Sequence, residues 1–452
     1  MGNTMKKILL GALLASTAMS AQAADLAVKA PYYKAPVAPV YDWTGFYLGV
    51  NAGLGLGRNQ NRIFGNGGGF SQYLAPFGAL GGGQIGYNWQ TNSFLGPLVF
   101  GVEADIQGAD MSDNRSNFPV PYNQTLDWFG TARGRVGLVT GPTLTYLTGG
   151  YAYGHVNTTL TGVGAPPFSG NRDGWTWGSG VEAALGGNWT GKIEYLYLDL
   201  GDRTDLIANT VPMRNTFHEN IFRVGLNYRI GGNGAYTPMA TANWTGFYLG
   251  GNVGSGTSRD RTTLEDVTTG TRALFNLAPD GIIGGGQIGY NWQAGNIVYG
   301  LETDFQGSTQ EDNKTCFGCA PSASLDFNAK LQWFGTVRGR LGYAIGPSLF
   351  YATGGFAYGN VKTAINEVSF SDTRTGWTVG AGIETPFDLF GLFGPNWTST
   401  TEYLYVDLGK AAHDFTLAGA PGQPGVLTTG AQEHIFRTGL NYHFNTPVVT
   451  KY

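Results

Sequence analysis

The stretch WFGTARGRVG, residues 128–137, decides how this chain is read, and it returns as WFGTVRGRLG at residues 333–342. In the first copy Phe129, Thr131, Arg133 and Arg135 share one parity, while Gly130, Ala132, Gly134 and Val136 share the other. A period of two belongs to a β-strand with two unlike faces. One face carries two arginines, and the other only small or apolar side chains. A soluble antiparallel sheet would bury the apolar face against protein and put the arginines in water. A membrane barrel does the reverse, with apolar residues toward lipid and charges toward the lumen.

Composition bears on that choice. Of 452 residues only 13% are charged, another 13% are aromatic and 73 are glycine. The charged share is about half the usual one. A formal charge of −4 argues against a nucleic-acid partner. Past the N-terminal leader there is no apolar run of about 18 residues, the length a transmembrane helix needs. Short strands fit this composition better than helices. A secreted β-sandwich or β-propeller is the soluble alternative.

Lys6 and Lys7 precede the apolar run from Ile8 to Met19, and Ala21-Gln22-Ala23 follows with small residues at the positions a signal peptidase reads. This predicts a secretory leader over 1–23, cut before Ala24. Residues 24–40, which include KAPYYKAPVAPV, read as an extended proline-rich periplasmic spacer.

The remainder is a tandem duplication. WTGFYLG starts at Trp43 and Trp244, and GGGQIGYNWQ at Gly81 and Gly284. GVEADIQG at Gly101 matches GLETDFQG at Gly300, and RDGWTWGSGVE at Arg172 matches RTGWTVGAGIE at Arg374. EYLYLDLG at Glu194 matches EYLYVDLG at Glu402, and ENIFRVGLNY at Glu219 matches EHIFRTGLNY at Glu433. The order is the same in both copies, which sets a first unit at 41–230, a linker at 231–243, a second unit at 244–444 and a tail at 445–452. Each unit holds eight strand-like segments whose connections alternate in length. In the first unit, long ones near 58–80, 109–126, 157–172 and 202–218 alternate with tight turns such as Thr140-Gly141-Pro142 and Gly186-Gly187-Asn188. Long loops at one end and tight turns at the other are the habit of outer-membrane barrels.

A lumen predicts both signs of charge on the inward faces. The first unit offers Glu103, Asp105, Arg133, Arg135, Glu182, Glu194 and Arg223, with Lys192 on the same parity as Glu194. The second offers Glu302, Asp304, Arg338, Arg340, Glu384, Glu402 and Arg437. Inside a narrow eight-stranded barrel these must pair as an ion network, because an unpaired charge there is very costly. The network either plugs the lumen or lines a polar path. On the outward parity, Ile85, Tyr87 and Trp89 share a face, as do Phe222, Val224, Leu226 and Tyr228. Trp43, Tyr47, Trp89 and Trp189 lie near strand ends and suit interfacial girdles.

These features together resemble the alphaproteobacterial outer-membrane immunogenic proteins, a porin-like family of small eight-stranded β-barrels. The likeness rests on the Ala-Gln-Ala site, the Pro/Tyr/Lys-rich spacer, WTGFYLG, GGGQIGYNWQ, the Glu-Ala-Asp strand, Trp-Phe-Gly-Thr-x-Arg-Gly-Arg, the EYLYxDLG strand and the closing Phe-Arg-x-Gly-Leu-Asn-Tyr-x-Phe. It implies localisation in the bacterial outer membrane and handling by the outer-membrane assembly machinery through a last strand ending in an aromatic residue, here Phe444. It leaves the duplication as a departure. The units close as two eight-stranded barrels or together as one of sixteen strands. The long linker and the complete first and last strands of each repeat favour two.

Cys316 and Cys319, the only cysteines, predict a small loop disulfide in an oxidising envelope. His155, His218, His413, His434 and His443 do not align across the repeats; His218 beside Glu219 and His434 after Glu433 read as loop or strand-end residues, with no metal set and no catalytic base. GLGLG at Gly53 has no following helix and is not a dinucleotide site. The expected protein is therefore an integral outer-membrane barrel with a structural and surface-antigen role, without catalysis or cofactor. A passive diffusion porin for small hydrophilic solutes is the alternative. Its expected surroundings are outer-membrane lipid and lipopolysaccharide, and the ligand of its outer loops is open.

Overall fold

The computed structural model describes residues 41–65, 68–94, 96–116, 122–160, 167–207, 210–231, 241–320, 323–388, 393–416 and 424–444. The leader, the whole spacer, residues 232–240 of the linker and the tail read from the sequence lie outside the described residues, as do the side chains of Cys316 and Cys319. Among the described residues every regular element is a strand. The first repeat contains β1 (Gly45–Gly57), β2 (Asn59–Gly65), β3 (Gly68–Leu74), β4 (Phe77–Ser93), β5 (Gly96–Ser116), β6 (Tyr122–Thr140), β7 (Thr143–Leu160), β8 (Phe168–Gly186), β9 (Trp189–Ile207) and β10 (Val211–Ile230). The second contains β11 (Gly246–Ser258), β12 (Asp260–Asp266), β13 (Arg272–Leu277), β14 (Asp280–Ala294), β15 (Ile297–Ser308), β16 (Glu311–Ala320), β17 (Ala323–Ile345), β18 (Ser348–Ile365), β19 (Val368–Pro386), β20 (Trp397–Thr416) and β21 (Pro424–His443).

Each repeat closes on itself. In the first, β1 and β4–β10 pair antiparallel in chain order, and β1 returns to β10 with Val50 opposite Leu226. In the second, β11, β14, β15 and β17–β21 do the same, and β11 returns to β21 with Gly254 opposite Arg437. Two eight-stranded barrels result, not one of sixteen strands. Closing the eight-stranded ring of each repeat is what a lipid environment demands, since it offers no partner for an open edge.

Much of what the sequence suggested as long loops is strand. β2–β3 and β12–β13 are hairpins that leave the barrel after β1 and β11 and pair with the far ends of β10 and β21. β5–β10 also run on well past the membrane-length core, so strands of 18 to 21 residues replace the expected irregular connections. A tilted strand of about 9–11 residues spans a bilayer, so the surplus stands beyond it as a β-walled collar. The tight turns are as read: Gly141, Gly187, Gly295 and Gly346 hold φ of 58°, 56°, 61° and 56°, which a glycine takes without strain. The Asp-Leu-Gly of EYLYxDLG builds a bulge in each repeat. Gly201 N donates to Asp199 Oδ1 (2.7 Å) and Gly409 N to Asp407 Oδ1 (2.8 Å), with the glycines at φ 67° and 71°.

The outward face is apolar at membrane height, with Val50, Ile85, Val102, Ile106, Val136, Val224 and Leu226 exposed on the first barrel. Trp89, Trp189 and Tyr228 ring its tight-turn end, and Tyr151, Trp175 and Trp177 ring the other. Trp43 and Tyr47 depart from the girdle reading. They are 1% and 2% exposed and point into the barrel. Phe222 points outward but is covered by the second barrel.

Candidate functional site

Strand register puts the lumen charges opposite each other. Glu103 faces Arg133 across β5–β6, and Glu302 faces Arg338 across β15–β17. Glu194 faces Arg223 across β9–β10, and Glu402 faces Arg437 across β20–β21. All lie on the inward parity and are buried.

In the first barrel Arg133 is the hub. Its guanidinium pairs with Glu103, with Asp105 at 3.0 Å and with Glu194 at 3.2 Å. Arg223 joins Glu194 (Nε to Oε2, 2.6 Å) to Asp105 (Nη2 to Oδ2, 2.9 Å), and Arg135 holds Glu182 at 3.0 Å. Lys192 lies 3.2 Å from Glu103 and 3.6 Å from Glu194. Tyr47 donates to Glu103 at 2.8 Å and Tyr146 to Glu194 at 2.8 Å. The second barrel repeats the lattice. Arg338 pairs with Glu302, with Asp304 at 3.0 Å and with Glu402 at 2.9 Å. Arg437 links Glu402 (2.7 Å) and Asp304 (3.0 Å), Arg340 holds Glu384 at 2.6 Å, and Tyr248 donates to Glu302 at 2.6 Å. Forked guanidiniums bridging several carboxylates are the geometry in which buried charge is best satisfied.

Inward glycines make room for this lattice. A Cβ on Gly53 would lie 2.1 Å from the Phe222 carbonyl oxygen and 2.8 Å from Arg223 Cβ, and Gly254 stands in the same relation to Phe436 and Arg437. The GLGLG run therefore serves close strand approach in a narrow barrel.

Above and below the ions the lumen is apolar. Toward the tight turns, Tyr41, Trp43, Val99, Val139, Leu144, Tyr146 and Ala184 pack together, with Arg135 over the ring of Tyr47 (4.7 Å). On the collar side, Leu80, Met111, Phe129, Leu196, Leu198, Phe217 and Ile221 close over the network. Trp244, Val298, Ala344, Leu349 and Tyr351 form the equivalent lower layer of the second barrel, and Ile283, Phe334, Leu404, Val406 and Ile435 its upper layer. The two layers are what the sequence reading missed. The signal was present, since Leu196, Leu198 and Leu200 continue the parity of Glu194 along β9.

Of the histidines, His434 and His218 sit within β21 and β10, not in loops. His434 Nδ1 meets the Tyr403 hydroxyl at 2.7 Å, and His443 lies inside the second lumen with Nε2 3.0 Å from Glu384. Among the described residues no cluster of His, Cys, Asp and Glu is arranged to hold a metal ion.

Residues 11–229 and 231–444 each match the outer membrane protein beta-barrel domain family. The chain belongs to that family. A 31 kDa outer-membrane immunogenic protein of Brucella melitensis biotype 1 is 39% identical over 227 residues, covering 46% of this chain and 86% of the relative. A 22 kDa outer membrane protein of Rhizobium leguminosarum bv. viciae is 34% identical over 208 residues, covering 45% of this chain and 79% of the relative. Among solved structures, that of Neisserial surface protein A is 12% identical at a TM-score of 0.24, covering 44% of this chain and 98% of that one. The protein is thus an outer-membrane β-barrel protein that carries its family's barrel twice.

Proposed function

We propose that this protein is a non-catalytic structural barrel pair whose lumens are closed to solutes and whose β-walled collars present an antigenic surface outside the cell. The observation that carries the reading is the ion network of Arg133 and Arg338, held in each lumen between two apolar layers. A diffusion pore needs a continuous wet path, and a wall of paired charges roofed by Phe129, Leu196 and Met111 offers none at this width. Paired Arg and carboxylate groups also supply neither a free nucleophile nor a general base. The relatives' names, which call them immunogenic, agree with exposure of the collar. In this reading the leader is removed on export, lipopolysaccharide surrounds the collar, and the assembly machinery takes the last strand at Phe444.

The test is conductance of the refolded, full-length protein in a planar bilayer, beside a folding check by gel mobility. Silence or rare small flickers from folded protein is the expected result. Steady openings of porin size would replace the closed-barrel reading with a diffusion pore.

A further inference from the structure

The two barrels touch through equivalent residues. Asp113 and Asp312 are counterparts, since Asp113 Oδ2 accepts Ala75 N (2.7 Å) and Asp312 Oδ2 accepts Ala278 N (2.8 Å). Arg58 and Arg259 are counterparts too, one residue past the Gly57–Glu219 and Ser258–Glu433 pairs. Across the interface these four exchange partners. Arg58 Nη2 donates to Asp312 Oδ1 at 2.7 Å, and Arg259 Nη2 to Asp113 Oδ1 at 3.4 Å.

The apolar part of the interface is exchanged in the same way. Tyr195 stacks on Phe436 (5.5 Å between ring centres) while its counterpart Tyr403 meets Phe222 (5.1 Å). Counterparts also meet each other, as they must on a two-fold axis. Phe222 lies 6.5 Å from Phe436, and Thr143 Oγ1 lies 3.4 Å from Ser348 Oγ.

We infer that this chain is a covalently fused two-fold dimer of barrels, in which the partner of each barrel's β9–β10 wall is the same wall of the other barrel. A self-complementary patch that contacts itself across a two-fold is the mark of an isologous dimer interface. A mere tether between independent barrels would produce no exchange of equivalent partners. Within a bilayer, apolar faces gain little from meeting each other, because lipid is as apolar as they are. Register therefore falls to the polar exchange beyond the membrane, where Asp113 and Asp312 are almost fully buried and Asn276 of the second barrel adds bonds of 2.9 and 3.0 Å to Asp113.

The test starts from the full chain. A protease site is placed between Gly231 and Thr241, the protein is folded whole, then cut and run in mild detergent by size exclusion and native mass spectrometry. The halves should travel as one particle. Arg58→Asp with Arg259→Asp should raise the free halves by more than about tenfold, because like charges then face each other. Adding Asp113→Arg and Asp312→Arg should restore the particle. Separation of the cut parent protein, or no response to charge reversal, overturns the inference. A second route does not depend on those variants. Thr143→Cys with Ser348→Cys should form a disulfide that holds the cut halves together in denaturing gels, since the parent hydroxyls lie within reach of one another. Failure of that cross-link in folded protein also overturns it.

Discussion

The first and second lumens carry the same arginine–carboxylate lattice with different amounts of positive charge. In the first, Arg133, Arg135, Lys192 and Arg223 meet Glu103, Asp105, Glu182 and Glu194. In the second, Thr400 stands where Lys192 would be, so three arginines meet Glu302, Asp304, Glu384 and Glu402. Glu384 does not register that change, since it and its counterpart Glu182 are held alike, each by an arginine (Arg340, Arg135), a threonine (Thr398, Thr190) and an asparagine (Asn441, Asn227). The difference falls on Glu302 and Glu402, whose counterparts Glu103 and Glu194 have Lys192 beside them, while Thr400 offers only a hydroxyl, which meets the Tyr351 hydroxyl at 2.9 Å. The two solutions differ in what they tolerate. A lumen with a spare cation can re-pair when one is lost, and a lumen without one cannot.

The largest expected effect tests that difference directly. Arg338→Ala leaves Glu302, Asp304 and Glu402 short of a shared partner and should cost about 3–5 kcal/mol in urea unfolding of the reconstituted protein. Arg133→Ala should cost less, because Lys192 already lies beside Glu103 and Glu194. Equal losses would show that the lysine does not buffer its lumen. Next in size, Lys192→Thr turns the first lumen into a copy of the second. It should cost about 1.5–3 kcal/mol, the range for a lost bond to a charged group, and should make the Arg133→Ala and Arg338→Ala costs converge.

A smaller contrast is set by pH. The second barrel has Asp260 where the first has Asn59. Burial pushes the Asp260 carboxyl up to about 7, against hydrogen bonds from Ser258 and Gln432 and the charge of Arg374, while Asp312 pushes it further up. The folded protein then keeps a proton that the unfolded chain gives up near pH 4. This contribution is full below about 4 and is lost as pH rises through about 7. Unfolding midpoints of the second barrel should fall across that window, and Asp260→Asn should flatten the dependence. The smallest expected effect lies at the rim. Arg272 and Glu265 pair at 3.0 Å in the β12–β13 hairpin, with the arginine largely exposed and the glutamate half-buried, so Arg272→Ala should change stability by less than about 1 kcal/mol. A larger loss would mean that the collar hairpin is packed more tightly than its exposure indicates.

Period-two alternation made the inward charge set legible without a structure. Parity alone assigns Glu103 or Arg437 to a face, because successive strand side chains point to opposite sides. Parity fails where a strand meets an end or a neighbour. Trp43 lies just before β1, where alternation has not begun, so its place near a strand end suited a girdle although its ring turns into the barrel. Phe222 has the outward parity of a lipid-facing residue, and only the second barrel hides it. The collar was read as loop because polar, glycine-rich segments such as 59–74 look like turns until the extended barrel edge gives their backbone a partner.

The duplication, the strand periodicity, the tight turns and the sign of each lumen charge were all determined by the sequence, since each depends on residues near in the chain or on simple parity. Which strand closes onto β1, how far apart a given guanidinium and carboxylate stand, and how apolar layers roof the ions were decided only by tertiary structure. So was the exchange of Arg58 and Arg259 between barrels. These depend on register summed around a closed ring and on two rings meeting, and neither quantity is local to any stretch of the chain.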